Sequence, residues 1–217
     1  FSASTFWRDQ AATKATWYSA VPTIHQILLI RAEDDDAPRE SFRLIRSCSA
    51  ALVPAVFEQL EARFGAPVLE AYGMTEASHQ MSSNLLPPGA RVPGSVGMGT
   101  GVEISIMDEA GKMVALGDRA EVVIRGDNVT HGYNNNPEAN AEAFTDGWFR
   151  TGDQGMMDSD GRLTLTGRLK ELINRGGEKI SPLEVDAALL DHPAVAEAVC
   201  FAVADVKYRS EEHTSEL

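Results

Sequence analysis

Cysteine is scarce in this chain: Cys48 and Cys200 are the only two among 217 residues. Two thiols so far apart supply neither a disulfide framework nor the paired spacing of a zinc site, which leaves a reducing compartment as the expectation. Positive charge is also short, with 19 Lys plus Arg against 32 Asp plus Glu and a formal net charge of −13. That balance excludes a broad nucleic-acid or anionic-membrane footprint, which needs clustered cations. It does not exclude a small anionic ligand, because a few backbone N–H groups can hold a phosphate. No apolar run approaches the roughly 20 residues of a membrane helix. No initiator Met and no signal-peptide pattern stand at Phe1. What remains, 43% hydrophobic and 24% charged residues, is an ordinary globular composition.

Both ends read as interrupted. The chain opens mid-phrase on Phe1-Ser2-Ala3, and a preceding segment is expected. After Tyr208 the character changes, and residues 209–217, Arg209 to Leu217, read as a non-native tail derived from a sequencing adapter. The alternative is a polar, acidic helical tail. Without those nine residues 18 basic face 29 acidic side chains, a charge of −11, and the chain stays acidic.

Three helices are marked by their starts. Pro22 opens one before Thr23 to Leu29, and Pro54 opens another through Phe64, with Val56, Leu60 and Phe64 on one face and Gly65 as its stop. Ser181-Pro182-Leu183-Glu184 reads as a capping box opening a helix through Leu190. Strands are expected at 102–106, after which Asp108-Glu109-Ala110-Gly111 turns, and at Glu121 to Arg125. Met156-Met157 and Leu163 to Leu165 form a hairpin pattern around Asp158-Ser159-Asp160-Gly161. An α/β first third thus passes into a β-rich middle and a strand–helix–strand ending, the last strand carried by the apolar run 195–203. The best candidate boundary is 167–171, Gly167-Arg168-Leu169-Lys170-Glu171.

Four stretches, read as loops, concentrate glycine, hydroxyl and acidic residues. Ser47-Cys48-Ser49-Ala50-Ala51 follows a strand with side chains small enough for a flat ligand to reach the backbone, or is simply a tight turn toward Pro54. Tyr72-Gly73-Met74-Thr75-Glu76 combines an aromatic face, a hydroxyl and a carboxylate that suit base, phosphate and Mg²⁺; alternatively Thr75 caps a short helix. In Trp148-Phe149-Arg150-Thr151-Gly152-Asp153 a carboxylate after a glycine turn can accept both hydroxyls of a ribose, or be a solvated turn residue. Residues 167–179 hold Arg168, Lys170 and the pair Gly176-Gly177, which permits close approach by a ligand or makes a plain linker.

The order of these stretches, with Gly94-Ser95-Val96-Gly97, Gly132-Tyr133 and Asn174-Arg175-Gly176-Gly177-Glu178-Lys179-Ile180-Ser181-Pro182, resembles the acyl-adenylate-forming superfamily over Phe6 to Tyr208. Thr75-Glu76-Ala77-Ser78-His79-Gln80-Met81-Ser82-Ser83-Asn84 and Ser19-Ala20-Val21-Pro22-Thr23-Ile24-His25-Gln26 look most like the branch that joins oxalate to coenzyme A. The fold this implies is mixed α/β and β. Residues 1–166 would be the later part of a large AMP-binding domain, a sheet plus a distorted β-barrel. Residues 167–171 would be a hinge, and residues 172–208 the start of a small, truncated α+β domain.

The implied chemistry is a two-step, ATP-dependent acid–thiol ligation through an acyl-AMP, with ATP/AMP, Mg²⁺ and coenzyme A as cofactors and a small carboxylic acid, oxalate favoured, as substrate. By position, Tyr72 would stack on adenine, with Gly73 in the same turn and Ser49, Ala50 and Ala51 lining the base pocket. Thr75 would bond the α-phosphate and Glu76 would bind Mg²⁺. Asp153 would accept the ribose hydroxyls, with Arg168 also beside those hydroxyls, Lys170 would be the hinge residue, and Gly177 would line the pantetheine tunnel. His25 and His79 would serve the acyl pocket, donating to a second carboxylate. The family's phosphate loop would precede Phe1 and its catalytic lysine would follow Tyr208, so the polypeptide as written is expected to form no adenylate at a useful rate. No nucleic-acid partner and no membrane span are expected; the location would be cytoplasmic, or peroxisomal in a eukaryote. The open alternatives are a medium-chain or aromatic acyl-CoA ligase and a non-catalytic nucleotide-binding remnant.

Overall fold

The computed structural model describes residues 1–32, 42–190, 192, 194, 195 and 198–203. The tail 209–217 and the segment 205–208 lie outside the described residues. The chain divides into two compact units, residues 1–102 with 161–163, and residues 103–160 with 164 onward.

The first unit alternates helix and strand: α1 (Phe6–Thr13), β1 (Trp17–Ala20), α2 (Pro22–Arg31), β2 (Leu44–Ser47), α3 (Pro54–Phe64) and β3 (Val68–Tyr72). A single 3-10 turn, Thr75–Ala77, then leads to the short strands β4 (Ser82–Ser83) and β5 (Met98–Gly99). The sheet order is β1-β2-β3-β4-β5, with β1, β2 and β3 parallel and the last two antiparallel. Both expected prolines sit in the first turn of their helices, where the missing N–H costs nothing. Gly65 ends α3 with φ +63, its N–H returning to the Glu61 carbonyl, a left-handed cap that glycine adopts without Cβ strain. Leu28, Ile45, Leu60, Phe64 and Val68 are at most 1% exposed and form the centre of this core. Each such burial is worth about 1.5–3 kcal/mol.

The second unit contains β6 (Glu103–Met107), β7 (Ala120–Arg125), α4 (Pro137–Ala143), β8 (Phe144–Thr145), β9 (Trp148–Met157) and β10 (Leu163–Arg168), whose first residue clusters with the first unit. Its sheet runs β10-β9-β7-β6, with β8 also on β9. Met107, Val122, Val123, Ile124 and Phe149 are nearly or fully buried. A 3-10 turn at Leu169–Glu171 precedes the hairpin β11 (Ile173–Arg175) and β12 (Glu178–Ile180), then α5 (Pro182–Leu190).

Several sequence expectations need correction. The stretch 148–153 is no loop: it is the first half of the ten-residue β9, and Gly152, at φ +75, lies where the β7–β9 register shifts. A bulge absorbs a glycine's positive φ without ending the strand. Gly176 and Gly177, at φ +63 and +97, are the two-residue turn of the β11–β12 hairpin rather than a plain linker. Positive φ at both central positions is what the right-handed strand twist favours. The α5 helix forms as expected, but its capping box does not close. The Ser181 hydroxyl is buried with no partner among the described residues, and Glu184 turns instead to Arg119 at 2.5 Å. The described residues of the run 195–203 make no strand, and Val199, Phe201 and Val203 are largely exposed. An extended segment becomes a strand only where a neighbour takes up its N–H and carbonyl groups.

Candidate functional site

The first unit gathers its candidate residues at the carboxyl ends of β2 and β3. Ser47 pairs with Glu70 across these strands, so the Cys48–Ala51 turn and the Tyr72–Glu76 turn leave the sheet from neighbouring positions. Ser49 holds φ +72 and Ala50 and Ala51 are exposed, a small-residue rim beside the buried ring of Tyr72. Ser78 and His79 also adopt left-handed φ, +54 and +58. Such conformations cost roughly 1–3 kcal/mol each and concentrate where a chain is shaped for a ligand.

Gly73 is required by space rather than by φ. A Cβ there would lie 2.3 Å from the His79 carbonyl oxygen, so the 73–79 loop closes tightly on itself. That closure presents Thr75, which is exposed, and Glu76 next to it. Thr75 does not cap the 3-10 turn: Met74 occupies the cap position and makes no side-chain cap bond. The competing structural role for Thr75 therefore falls away. One carboxylate with substrate phosphates is a normal Mg²⁺ donor set, and Glu76 fits it.

The two histidines differ. His79 is exposed on the loop beside Gln80. His25 is fully buried in α2, its Nδ1 3.2 Å from the Tyr18 hydroxyl. Burial pushes its pKa from 6.5 down to about 4, and it is therefore a neutral imidazole at neutral pH. The Ala20 and Arg46 carbonyls pull that value back upward, yet neither meets hydrogen-bond geometry at Nε2, which has no partner among the described residues.

Within the second unit, the Arg168 Nε lies 2.9 Å from Asp153 Oδ1. Asp153 is 7% exposed. It is held there by the residues before it. Thr151 donates its hydroxyl to the Val122 carbonyl at 2.7 Å and accepts the Asp153 N–H. Lys170, in the 3-10 turn after Arg168, is exposed. Gly177 is exposed at the hairpin tip with open space where a Cβ would stand, and Asn174 accepts its N–H.

Two buried acids carry no signal of their role in the sequence motifs. Glu121, 7% exposed on β7, receives Arg150 at 2.5–2.7 Å and the Gly152 N–H at 2.9 Å, pinning the bulge that precedes Asp153. Glu70, 4% exposed on β3, accepts the Gly94 N–H at 2.8 Å. Its burial raises its pKa to about 7, opposed by that bond and by one from the Leu52 backbone. Gly94 to Gly97 is thereby a docking segment. Ser95 donates to the Leu163 carbonyl, and Asn84 donates to the Ser95 carbonyl. Glu121 precedes the apolar run Val122-Val123-Ile124 in a strand buried from 121 to 124, so no alternation in the sequence singles it out.

A parallel three-stranded start whose carboxyl-end turns offer small residues, an aromatic ring, a hydroxyl and a carboxylate is an arrangement shared with open α/β proteins that bind ligands at such strand ends. The family model described as "AMP-binding enzyme" matches residues 1–134. The chain belongs to that family. It is 60% identical over 213 residues to a probable CoA ligase of Humulus lupulus and 58% identical over 213 residues to the oxalate–CoA ligase of Arabidopsis thaliana. Each alignment takes in 97% of this chain and 41% of the relative, so the chain spans about two fifths of their length. The crystal structure of ATP-bound MatB from Rhodopseudomonas palustris superposes with a TM-score of 0.87 at 34% identity, over 97% of this chain and 42% of that one. Among the described residues no helix is long and apolar enough to cross a membrane.

Proposed function

We propose that these residues carry the nucleotide and acyl-acid contacts of an ATP-dependent acid–thiol ligase, with oxalate as the acid. The observation that carries the reading is the closed 73–79 turn, which presents an exposed hydroxyl and a carboxylate with no capping duty at a parallel strand's carboxyl end. In the first step a carboxylate oxygen of the acid attacks the α-phosphorus of ATP and pyrophosphate leaves. In the second the coenzyme A sulfur attacks the acyl carbon of the mixed anhydride and AMP leaves. Tyr72 stacks on adenine above the Ser49, Ala50 and Ala51 rim, with Gly73 letting the loop close. Thr75 donates to the α-phosphate, where charge accumulates as the fifth oxygen bonds. Glu76 holds Mg²⁺, which offsets phosphate charge when bound.

Asp153, steadied by Arg168, accepts the ribose hydroxyls. Lys170 is the hinge residue between 1–166 and the small domain, where a few residues absorb a large φ/ψ change between half-reactions. Gly177 borders the pantetheine path. His79 and His25 serve the acid, and His25 does so as a neutral imidazole that keeps one N–H to donate, having lost its second proton well above pH 4. The oxalate relative at 58% identity favours this acid over a medium-chain or aromatic one.

Asp153→Asn in the full-length protein tests the nucleotide reading. It removes one of two ribose acceptors and should raise the KM for ATP roughly tenfold or more, as loss of a charged hydrogen bond implies. An unchanged KM for ATP would remove Asp153 from the site.

A further inference from the structure

Among the described residues Arg46 is a cation that hydrogen-bonds only neutral side chains. It lies on β2 directly opposite Ser19 of β1, one residue before the strand ends and the small-residue rim begins. Its Nη1 donates to the Ser19 hydroxyl at 3.1 Å and its Nη2 to Gln80 Oε1 at 3.2 Å, and both acceptors are neutral. Arg91, Arg150 and Arg168 each find a carboxylate. Arg46 makes no ion pair among the described residues, in a chain with a 13-charge acidic excess. A guanidinium has five N–H donors, and these two bonds leave most of them unspent.

The surroundings fix where the fork sits. Gln80 is itself oriented by its Nε2, which donates to Thr100 Oγ1 at 2.8 Å, so its Oε1 is turned toward Arg46. Gln80 follows His79 directly, and the Arg46 carbonyl faces the imidazole of His25. The side chain is only partly buried, and Ser19 beside it is exposed, so an anion can reach the guanidinium from solvent.

We infer that Arg46 binds the second, non-reacting carboxylate of a small dicarboxylic acid and so sets the enzyme's preference for dianionic over monoanionic acids. This rests on the acid–thiol ligase reading above. A planar fork matches a carboxylate with two parallel bonds, a geometry that lysine's point charge cannot reproduce. Ser19 and Gln80 hold the fork in place when no acid is present, which lowers the ordering cost of binding. The carboxylate it reads does not change charge during adenylation, so the contact acts on binding of the acid rather than on the chemical step.

The test compares wild type, Arg46→Met and Arg46→Lys of the full-length protein, with oxalate and with glycolate, a monoanion of similar size. Arg46→Met should raise the KM for oxalate roughly ten- to a hundredfold, the loss expected for a charged hydrogen-bonded pair. The KM for ATP and the kcat should stay within about twofold, and the oxalate-over-glycolate ratio of kcat/KM should fall. Arg46→Lys should lie between the two. An unchanged KM for oxalate in Arg46→Met would overturn the assignment while leaving the oxalate reading intact. A parallel loss for oxalate and ATP with a lowered Tm would reduce Arg46 to a structural residue. A wild-type protein that turns over monocarboxylates and no dicarboxylate would defeat both.

Discussion

Replacing Glu70 with Gln should tilt the pH dependence of the first unit's stability. Burial lifts the Glu70 pKa from 4.5 to about 7. A carboxyl with a raised pKa holds its proton more tightly in the folded state. Its stabilising contribution is therefore complete below about 4.5 and is lost as pH climbs to about 7. His25 works in the opposite sense, because burial lowers its pKa from 6.5 to about 4 and the unfolded chain binds the proton more tightly. Its contribution is complete above about 6.5 and is lost as pH falls toward 4. Each shift corresponds to about 3 kcal/mol, or about 1.4 kcal/mol per pH unit where one group titrates alone.

Between about pH 5 and 6.5 the two slopes oppose and nearly cancel in the wild type. Asp9 and Glu103, both exposed with lowered values, titrate below that window. Glu70→Gln keeps an oxygen for the Gly94 N–H but cannot ionise, which leaves the His25 slope uncovered. Stability of the variant should then rise by about 2 kcal/mol across the window. His25→Asn should show the mirror image, a fall of similar size. Urea unfolding followed by the fluorescence of Trp7, 8% exposed in the first unit's core, reads this at half-unit pH steps. A Glu70→Gln curve parallel to wild type throughout would mean that the native carboxyl ionises normally, and the burial account of Glu70 would fail.

Two further substitutions probe packing. Gly97→Ala would place a Cβ 2.0 Å from the Ser83 carbonyl oxygen at a residue with φ +74, and should lower stability by at least about 3 kcal/mol in a denaturation curve. Arg150→Met strands the Glu121 carboxylate, 8% exposed in its side chain, and should cost about 3–5 kcal/mol. Adding Glu121→Leu should recover most of that loss, and no recovery would show that the pair is not coupled.

Legibility in the sequence followed the range of the forces involved. The start and stop of α3 are local matters, a proline that needs no partner and a glycine at φ +63, and the pattern Val56, Leu60, Phe64 marked its buried face. The turn at Tyr72–Glu76 was legible as residue types, although the reason for Gly73 was not, because it depends on a carbonyl six residues away. The β9 strand was hidden by Gly152, whose bulge is stabilised by Glu121 from β7, thirty-one residues earlier. Glu184 read as a cap but chose Arg119, a partner brought near only by folding. Glu70 and Arg46 carry no motif at all. Their interest lies in what surrounds them, a carboxyl that is buried and a guanidinium whose partners among the described residues are neutral, and sequence spacing contains neither fact.

The most direct measurement is acid-dependent ATP–pyrophosphate exchange by the full-length protein, run with oxalate beside octanoate and benzoate. Exchange that requires oxalate and Mg²⁺, and that falls sharply in Thr75→Ala, is the expected result. Exchange with octanoate or benzoate and none with oxalate would contradict the assignment of this site to a small dicarboxylic acid.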